Sequence, residues 1–408
     1  MSTSLLYHGF GIRGYQYVKA DFEGGKVIFT VRQEVGDLRC GACGSRHVVR
    51  RGVYLRRFRS LPIGGRPVQV LLDVPRVGCM DCGAVRQVPV RFADGRRSYT
   101  KAFERHVLDL SRHMTIQDVA RHLQVGWDVV KDIQKRYLGK KFGHIKLKRL
   151  RQIAIDEIAI GRGHRYLTVV LDLASGAVVF VGDGKGADAL KPFWKRLKAS
   201  HAKVKAVAMD MSPAYIGAVL THLPKAVLVF DHFHIIKLFN EKLSGLRRDL
   251  YREATEKLHK DVLKGTRWLL LKNPENLDDT RDEPRRLREA LKLNEPLATA
   301  YYMKDDLRRV WEQRDKQAAR RVLMAWIRRA ETSGIRMLIK FAHTLAGHRN
   351  QILAYYDYPI STGPLEGTNT KIRVLQHQAY GFRDTEFFKL KIYALHETRY
   401  ELVGGLVN

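Results

Sequence analysis

Cysteine is scarce in this 408-residue chain, four residues in all, and acidic side chains are outnumbered, with 42 Asp and Glu against 73 Lys and Arg. So few thiols exclude a disulfide-dense secreted scaffold. The shortage of acid leaves a formal charge of +31, which calls for a polyanionic partner, nucleic acid before any other. Long apolar runs are missing too. Stretches such as Leu167 to Val181 are broken by Asp172 and fall short of the ~18 uninterrupted apolar residues that a membrane span needs. Met1 to Lys19 shows no basic patch followed by an apolar segment and a small-residue cleavage site, so the cytoplasm is the expected compartment and no membrane the expected partner. With 45% hydrophobic and 9% aromatic residues, disorder over most of the length is excluded, and the length suits a multidomain chain.

The cysteines form two Cys-x-x-Cys pairs, Cys40 with Cys43 and Cys79 with Cys82, each followed by glycine (Gly44, Gly83). A glycine there suits a tight knuckle whose amides point at thiolates, and four thiolates meet the tetrahedral demand of a structural zinc ion, the alternative being two redox dithiols or the disulfides of a secreted protein. The 35 residues between the pairs exceed the usual zinc-ribbon gap. Val48 to Phe58 and Pro67 to Val74, a β-hairpin around Ile63-Gly64-Gly65, explain the excess. His47 is a substitute ligand or a surface histidine.

Residues 1 to 150 carry 29 Lys and Arg against 12 Asp and Glu, so +17 of the +31 lies there. Helical periodicity runs from Thr100 to His113, a second helix starts at the N-cap Thr115, Gly126 makes a turn, and a third helix runs from Trp127 to Leu138. This reads as a helix-turn-helix whose last helix presents Lys131, Lys135 and Arg136 to a DNA groove, the alternative being a packed three-helix linker with a solvated basic face. Lys140-Lys141 to Arg151 reads as a basic connector tracking phosphates.

At Gln152 the pattern turns to strands: Gln152 to Ile160, Tyr166 to Leu173 and Ala177 to Gly182, the last two joined by the turn signal Ala174-Ser175-Gly176. A helix over Ala187 to Ala199, a strand Val204 to Met209, a helix near Pro213 and a strand Ala226 to Phe230 follow. Three meandering strands and then alternating helix and strand is the order of a ribonuclease-H-like mixed sheet. From Phe233 to about Leu345 the pattern is helical, too long for a loop, and reads as an inserted all-α domain. A last helix enters near Pro364. The expected organisation is a zinc-ribbon region over 1–98, helix-turn-helix and connector over 99–150, the first part of the core over 151–237, the helical insertion over 238–350 and the rest of the core over 351–408.

Three acids occupy informative places in that layout: Asp156 in mid-strand, Asp210 at the end of Ala206 to Met209, and Glu366 in a helix start. An acid in mid-strand is expensive unless it has work or a cation. Three hard oxygen ligands converging on one site suit two magnesium ions and in-line phosphoryl displacement. Glu157 competes with Asp156, because neighbours on a strand face opposite ways. Asn369 and Arg373, one and two turns beyond Glu366, share its face and are expected to hold phosphates of the scissile strand. Asp231, His232 and His234 end the last sheet strand, with either DNA or metal positioning or N-cap and core-edge duties.

The two cysteine pairs, Ile155-Asp156-Glu157, Met209-Asp210-Met211-Ser212-Pro213, Phe230-Asp231-His232-Phe233-His234 and Glu366-Gly367-x-Asn369-x-Lys371 together resemble the DDE transposases of bacterial insertion sequences in the ISL3 family, from the zinc ribbon to Gly381-Phe382-Arg383. The resemblance implies that Asp156, Asp210 and Glu366 are a catalytic triad holding magnesium or manganese. It also implies that the protein acts on terminal inverted repeats, works on double-stranded DNA as a homodimer or higher oligomer, and lies with the bacterial nucleoid. In DDE transposases with helical insertions an aromatic can stack on an extruded base. Trp268 is the candidate and Arg267 its phosphate partner, against a core tryptophan beside Leu269, Leu270 and Leu271. The function so implied is DNA cleavage and strand transfer; the alternatives are a domesticated DNA-binding regulator without cleavage and a nuclease or resolvase on the same core.

Overall fold

The computed structural model describes residues 4–33, 36, 38–161, 163–254, 266–292 and 294–396, in two compact units. The first holds the chain up to Gly143 together with Gln378–Leu390; the second holds His144–His377 and Lys391–His396.

The first unit opens with α1 (Leu5–Phe10) and five strands: β1 (Tyr15–Glu23), β2 (Lys26–Gln33), β3 (Val48–Ile63), β4 (Arg66–Cys79) and β5 (Val85–Gln87). The sheet order is β1-β2-β4-β3, with β5 pairing onto β4. The expected hairpin is present and longer than its apolar pattern suggested. Gly64 and Gly65, at φ of 53° and 77°, turn it, and its strands run back to the cysteines, where Val48 pairs with Cys79. β4 is central and buried through Val68, Val70, Leu72, Val74 and Val77, whereas β3 is an edge strand, with Val49, Val53, Tyr54 and Leu55 exposed. The β1–β2 hairpin escaped the sequence pattern because β1 is exposed along nearly all its length and does not alternate.

Three helices follow: α2 (Lys101–Leu110), α3 (Ile116–His122) and α4 (Trp127–Phe142). Thr100 and Thr115 cap the first two, accepting from the Phe103 and Asp118 amides at 3.1 and 3.2 Å. Phe103, Val107, Val119, Leu123, Val130 and Ile133 form their shared core. α4 outlasts its expected end, so Lys140 and Lys141 are its last turn and not part of a connector.

In the second unit the sheet order is β10-β9-β6-β7-β8, made of β6 (Gln152–Gly161), β7 (Arg165–Asp172), β8 (Val178–Asp183), β9 (Ala206–Met209) and β10 (Val227–Phe230). β6, β7 and β8 form an antiparallel meander, β9 pairs parallel with β6 and β10 parallel with β9. α5 (Lys191–Ser200) and α6 (Pro213–His222) supply the crossovers, which gives the ribonuclease-H-like order. The inner strands β7 and β9 are buried along most or all of their length.

α7 (His232–Glu253) leaves β10 directly and runs across the expected boundary at 238. The helical segment continues with α8 (Arg267–Leu271), α9 (Glu283–Lys292), α10 (Glu295–Arg308), α11 (Lys316–Glu331), α12 (Arg336–Gly347) and α13 (Arg349–Leu353). Phe239, Trp326 and Phe341 meet edge to face at 5.0 to 6.1 Å in its core, where the Trp326 indole donates to Met303 O at 2.7 Å. The chain returns in α14 (Gly363–Gln378), whose Gln376 bonds the Ile160 carbonyl of β6.

The segment expected as the rest of the core, 351–408, is divided. Gln378–Leu390 groups with the first unit, because Asp384 receives both Lys131 and Lys135 of α4 at 3.1 and 2.8 Å. The last helix, α15 (Thr385–Tyr393), continues from it, and its Tyr393 hydroxyl accepts the Val181 amide. No described helix is long and apolar enough to cross a membrane.

Candidate active site and metal centre

The parallel register of β6 and β9 pairs Ile153 with Val207 and Ala154 with Ala208, so two residues further on Asp156 falls beside Asp210. Asp210 follows the last residue of β9, while β6 carries on past Asp156, which pairs with Val169 of β7. Glu366 stands in the first turn of α14. The Asp156 carboxyl is pushed above the usual carboxylate range, chiefly by burial and then by the negative charges of Asp210 and Glu366, while His234 pulls it the other way. Asp210 and Glu366 thus both lie near enough to Asp156 for their charges to act on it.

Asp156 and Glu157 have different surroundings. Asp156 Oδ1 accepts the Glu157 amide and its Oδ2 accepts the Asn369 side-chain amide, both at 2.8 Å. Glu157 faces away, where the Tyr215 hydroxyl donates to it at 3.1 Å. Asp210 accepts the Ser212 amide at 3.0 Å, which fixes its rotamer ahead of α6.

Asn369 was expected on DNA and is instead buried on Asp156; a short amide one turn after Glu366 reaches the sheet before it reaches solvent. Its Oδ1 and the His234 Nε2 are buried without a hydrogen-bond partner. These two buried polar atoms and the three acids put oxygens and one imidazole nitrogen in the neighbourhood of Asp156. Asp231 takes the N-cap role: it accepts the Phe233 amide at 2.9 Å, and His232 Nδ1 lies 3.3 Å away. Arg373 stays exposed on α14.

In the first unit the four sulfurs lie within 4.8 Å of one another, the only such metal-ligand cluster among the described residues. Cys40 and Cys82 are 3.7 Å apart and Cys43 and Cys79 3.5 Å. A tetrahedron with Zn–S of about 2.3 Å has an edge of about 3.8 Å, so the sulfurs already stand where a structural zinc ion needs them. Each knuckle closes on its glycine: Gly44 at φ 76° donates to Cys40 O, and Gly83 at φ 69° to Cys79 O. The backbone amides of Cys43 and Ala42 lower the Cys40 thiol, while at Cys43 the Ser45 amide is outweighed by the neighbouring Cys82 and Cys79 sulfurs, which raise its thiol, as close-packed thiols must divide their charge unequally. His47 is no ligand. It bonds Asp81 at 3.2 Å, and Ser45 bonds the same carboxylate, so these three side chains tie one knuckle to the other.

Three basic residues of α4 face acids of their own unit. Besides Lys131 and Lys135 on Asp384, Arg136 pairs with Glu104 at 2.6 Å and Asp94 at 3.3 Å. These side chains hold their own unit together. Helical spacing showed that they run along one helix; it could not show acids arriving from elsewhere in the chain. By contrast Arg46, Arg50, Arg51, Arg57, Arg76 and Arg86, along β3 to β5 and the knuckles, are exposed and carry no side-chain hydrogen bond or ion pair among the described residues. Lys140 and Lys141 are exposed at the end of α4, Lys141 beside the Tyr137 and Phe142 rings.

Trp268 is not a core residue. It is 66% exposed, with the Arg267 guanidinium 4.8 Å from its ring centre, while Leu269 and Leu270 beneath it are buried. The buried Lys304, lowered to about 8 by burial, donates to the carbonyls of Leu270 and Lys272 at 2.8 and 3.0 Å and fixes this short helix from below.

A zinc ribbon, a helix-turn-helix and a ribonuclease-H-like sheet with a helical insertion in one chain define a DNA transposase. The chain belongs to the ISL3 transposase family, whose transposase domain matches residues 153–392, its helix-turn-helix domain residues 88–138, and the zinc-finger of transposases IS204/IS1001/IS1096/IS1165 residues 38–82. It is 35% identical to the transposase for insertion sequence element IS1001 of Bordetella parapertussis over 360 residues, 87% of this chain and 88% of that one. With the transposase for element IS1557 of Mycobacterium tuberculosis it shares 31% over 390 residues, 89% of this chain and 87% of that one. A Drosophila P element transposase in a strand transfer complex aligns with 65% of this chain and 81% of its own at 13% identity and a TM-score of 0.33, too remote a likeness to argue from.

Proposed function

We propose that this transposase binds the terminal inverted repeats of its insertion sequence and carries out divalent-metal-dependent cleavage and strand transfer at Asp156, Asp210 and Glu366. The observation that carries this is the raised Asp156 carboxyl, crowded by two acids from distant parts of the chain. Such crowding costs stability in the metal-free protein and is relieved by cations. Magnesium or manganese held by the three carboxylates would stabilise the attacking and leaving oxygens of an in-line displacement. In the first step water adds across a phosphodiester at the element's end, leaving a 5′-phosphate and a free 3′-hydroxyl. In the second that hydroxyl oxygen attacks a target phosphorus and displaces the target's own 3′-oxygen. Asn369 holds Asp156 in position and Ser212 N holds Asp210 throughout. The N-terminal unit grips the ends, with two or more copies acting together on paired ends. Incubating the protein with DNA flanking its own gene and magnesium, then mapping the products, tests this. Joined ends are expected; cuts without joining would indicate a nuclease or resolvase, and binding alone a regulator.

Trp268 belongs to the same proposal as a stacking platform for an unpaired base near the cut, with Arg267 on the adjacent phosphate. Burial, then the like charges of Arg267 and Arg248, lower Arg247, so positive charge gathers around this ring as a polyanion would require. Stacking is worth roughly 1 to 3 kcal/mol per base. Trp268→Ala is expected to stay folded and bind ends yet cut about ten- to a hundredfold more slowly, with Trp268→Phe recovering much of the rate. Equal rates for the Ala and wild-type proteins would remove the ring from the site.

A further inference from the structure

Asp231 does more than begin a helix. Its side chain is 1% exposed and both oxygens are engaged. Oδ1 accepts the Phe233 amide at 2.9 Å and caps α7. Oδ2 crosses 131 residues of sequence to accept the Thr362 amide at 2.8 Å together with the Thr362 hydroxyl. Capping requires one oxygen; the second oxygen is the informative one. Thr362 opens α14, because its carbonyl accepts the Leu365 and Glu366 amides at 2.8 and 2.9 Å. The Asp231 amide in turn lies 3.3 Å from Met209 O, at the strand end that carries Asp210.

One buried anion thus joins the point where the chain leaves the sheet for the insertion, the point where it returns, and the helix turn bearing Glu366. Hydrogen bonds to a buried carboxylate are short and about twice as strong as neutral ones, so a carboxylate that holds Thr362 holds the helix turn hydrogen-bonded to it. Resting on the reading of Glu366 as the third catalytic acid, we infer that Asp231 is a positioning residue for phosphoryl transfer: through Thr362 it holds Glu366 against Asp156 and Asp210.

The test uses the full chain with Asp231→Asn, Thr362→Val and Thr362→Ser, and Asp156→Asn as control. Cleavage of end DNA is followed across magnesium concentrations, alongside end affinity and melting temperature. Thr362→Val keeps the shape of the side chain and loses the hydroxyl. It and Asp231→Asn are expected to cut about ten- to a hundredfold more slowly, the scale of an approximately 1 Å misplacement, to need severalfold more magnesium, and to bind ends normally. Thr362→Ser should restore the rate and the magnesium requirement. A purely structural role would lower the melting temperature and leave the magnesium requirement untouched, and that result overturns the inference. So does a Thr362→Val protein that cuts like wild type while Asp156→Asn is dead. If Asp156→Asn itself cuts normally, the catalytic reading falls and takes this one with it.

Discussion

Asp156→Asn is expected to abolish DNA cleavage while raising the melting temperature of the metal-free protein. Asparagine matches aspartate in shape, and its carbonyl still accepts the Glu157 amide, so the strand keeps its form. What disappears is a carboxylate held above its usual range by burial first and then by the charges of Asp210 and Glu366. The sign follows from the raised folded-state value. A carboxyl whose pKa rises on folding penalises the native state at neutral pH, and the penalty fades as pH falls through that raised value. Removing the charge removes the penalty. It also removes a ligand for the cation, and transition-state stabilisation by a metal is worth several kcal/mol, so the rate should fall roughly a thousandfold or more. Magnesium should raise the melting temperature of wild type and do so much less in the variant, since an ion that binds only the folded state stabilises it by mass action. Glu157→Gln is the matched control one residue away. It should cut normally, because that side chain meets Tyr215 on the other face. Equal cleavage by the Asn variant and wild type would refute the assignment.

The pair Asp156 and Glu157 also marks the boundary of what the sequence discloses. Strand order, the meander, the N-caps at Thr100 and Thr115 and the cysteine knuckles are local, and local patterns of period and turn chemistry reveal them. Strand alternation says that two neighbours face opposite ways without saying which face is open; that depends on Tyr215 and Asn369, brought in from afar. The same holds for Lys135, whose partner Asp384 lies 249 residues on, and for Asp231 with Thr362. Each is a pairing between elements whose spacing in sequence carries no periodic signal. Trp268 shows the reverse error: three leucines beside it suggest a core residue, yet in a five-residue helix only one side is covered, and the tryptophan takes the other.

Loss of zinc should have the second large effect, confined to the first unit. The cysteine site closes the end of the β3–β4 hairpin remote from its glycine turn, and there the edge strand has little apolar cover: Val49, Val53, Tyr54 and Leu55 are exposed. The aromatic core begins only at Phe58, with Phe92 against it at 5.1 Å. On β4 this end still buries Val74 and Val77, so the metal adds to a core that reaches the knuckles on one strand only; structural zinc supplies about 10 to 16 kcal/mol in small modules, comparable with the whole stability of a domain. Purified protein should contain about one zinc per chain, one tetrahedral ion for four sulfurs. Cys40→Ser or Cys79→Ser, each removing a buried ligand, should empty the site and open the segment around the knuckles to proteolysis, while the second unit, with its own core, keeps its melting transition. The arginines of this ribbon, exposed and without partners among the described residues, are displayed by the same hairpin. End binding should accordingly fall with the zinc, and Arg50→Ala with Arg57→Ala should flatten the salt dependence of binding by roughly one phosphate contact each without releasing metal. Full end binding by the zinc-free protein, with its usual steep salt dependence, would show that the DNA is gripped elsewhere.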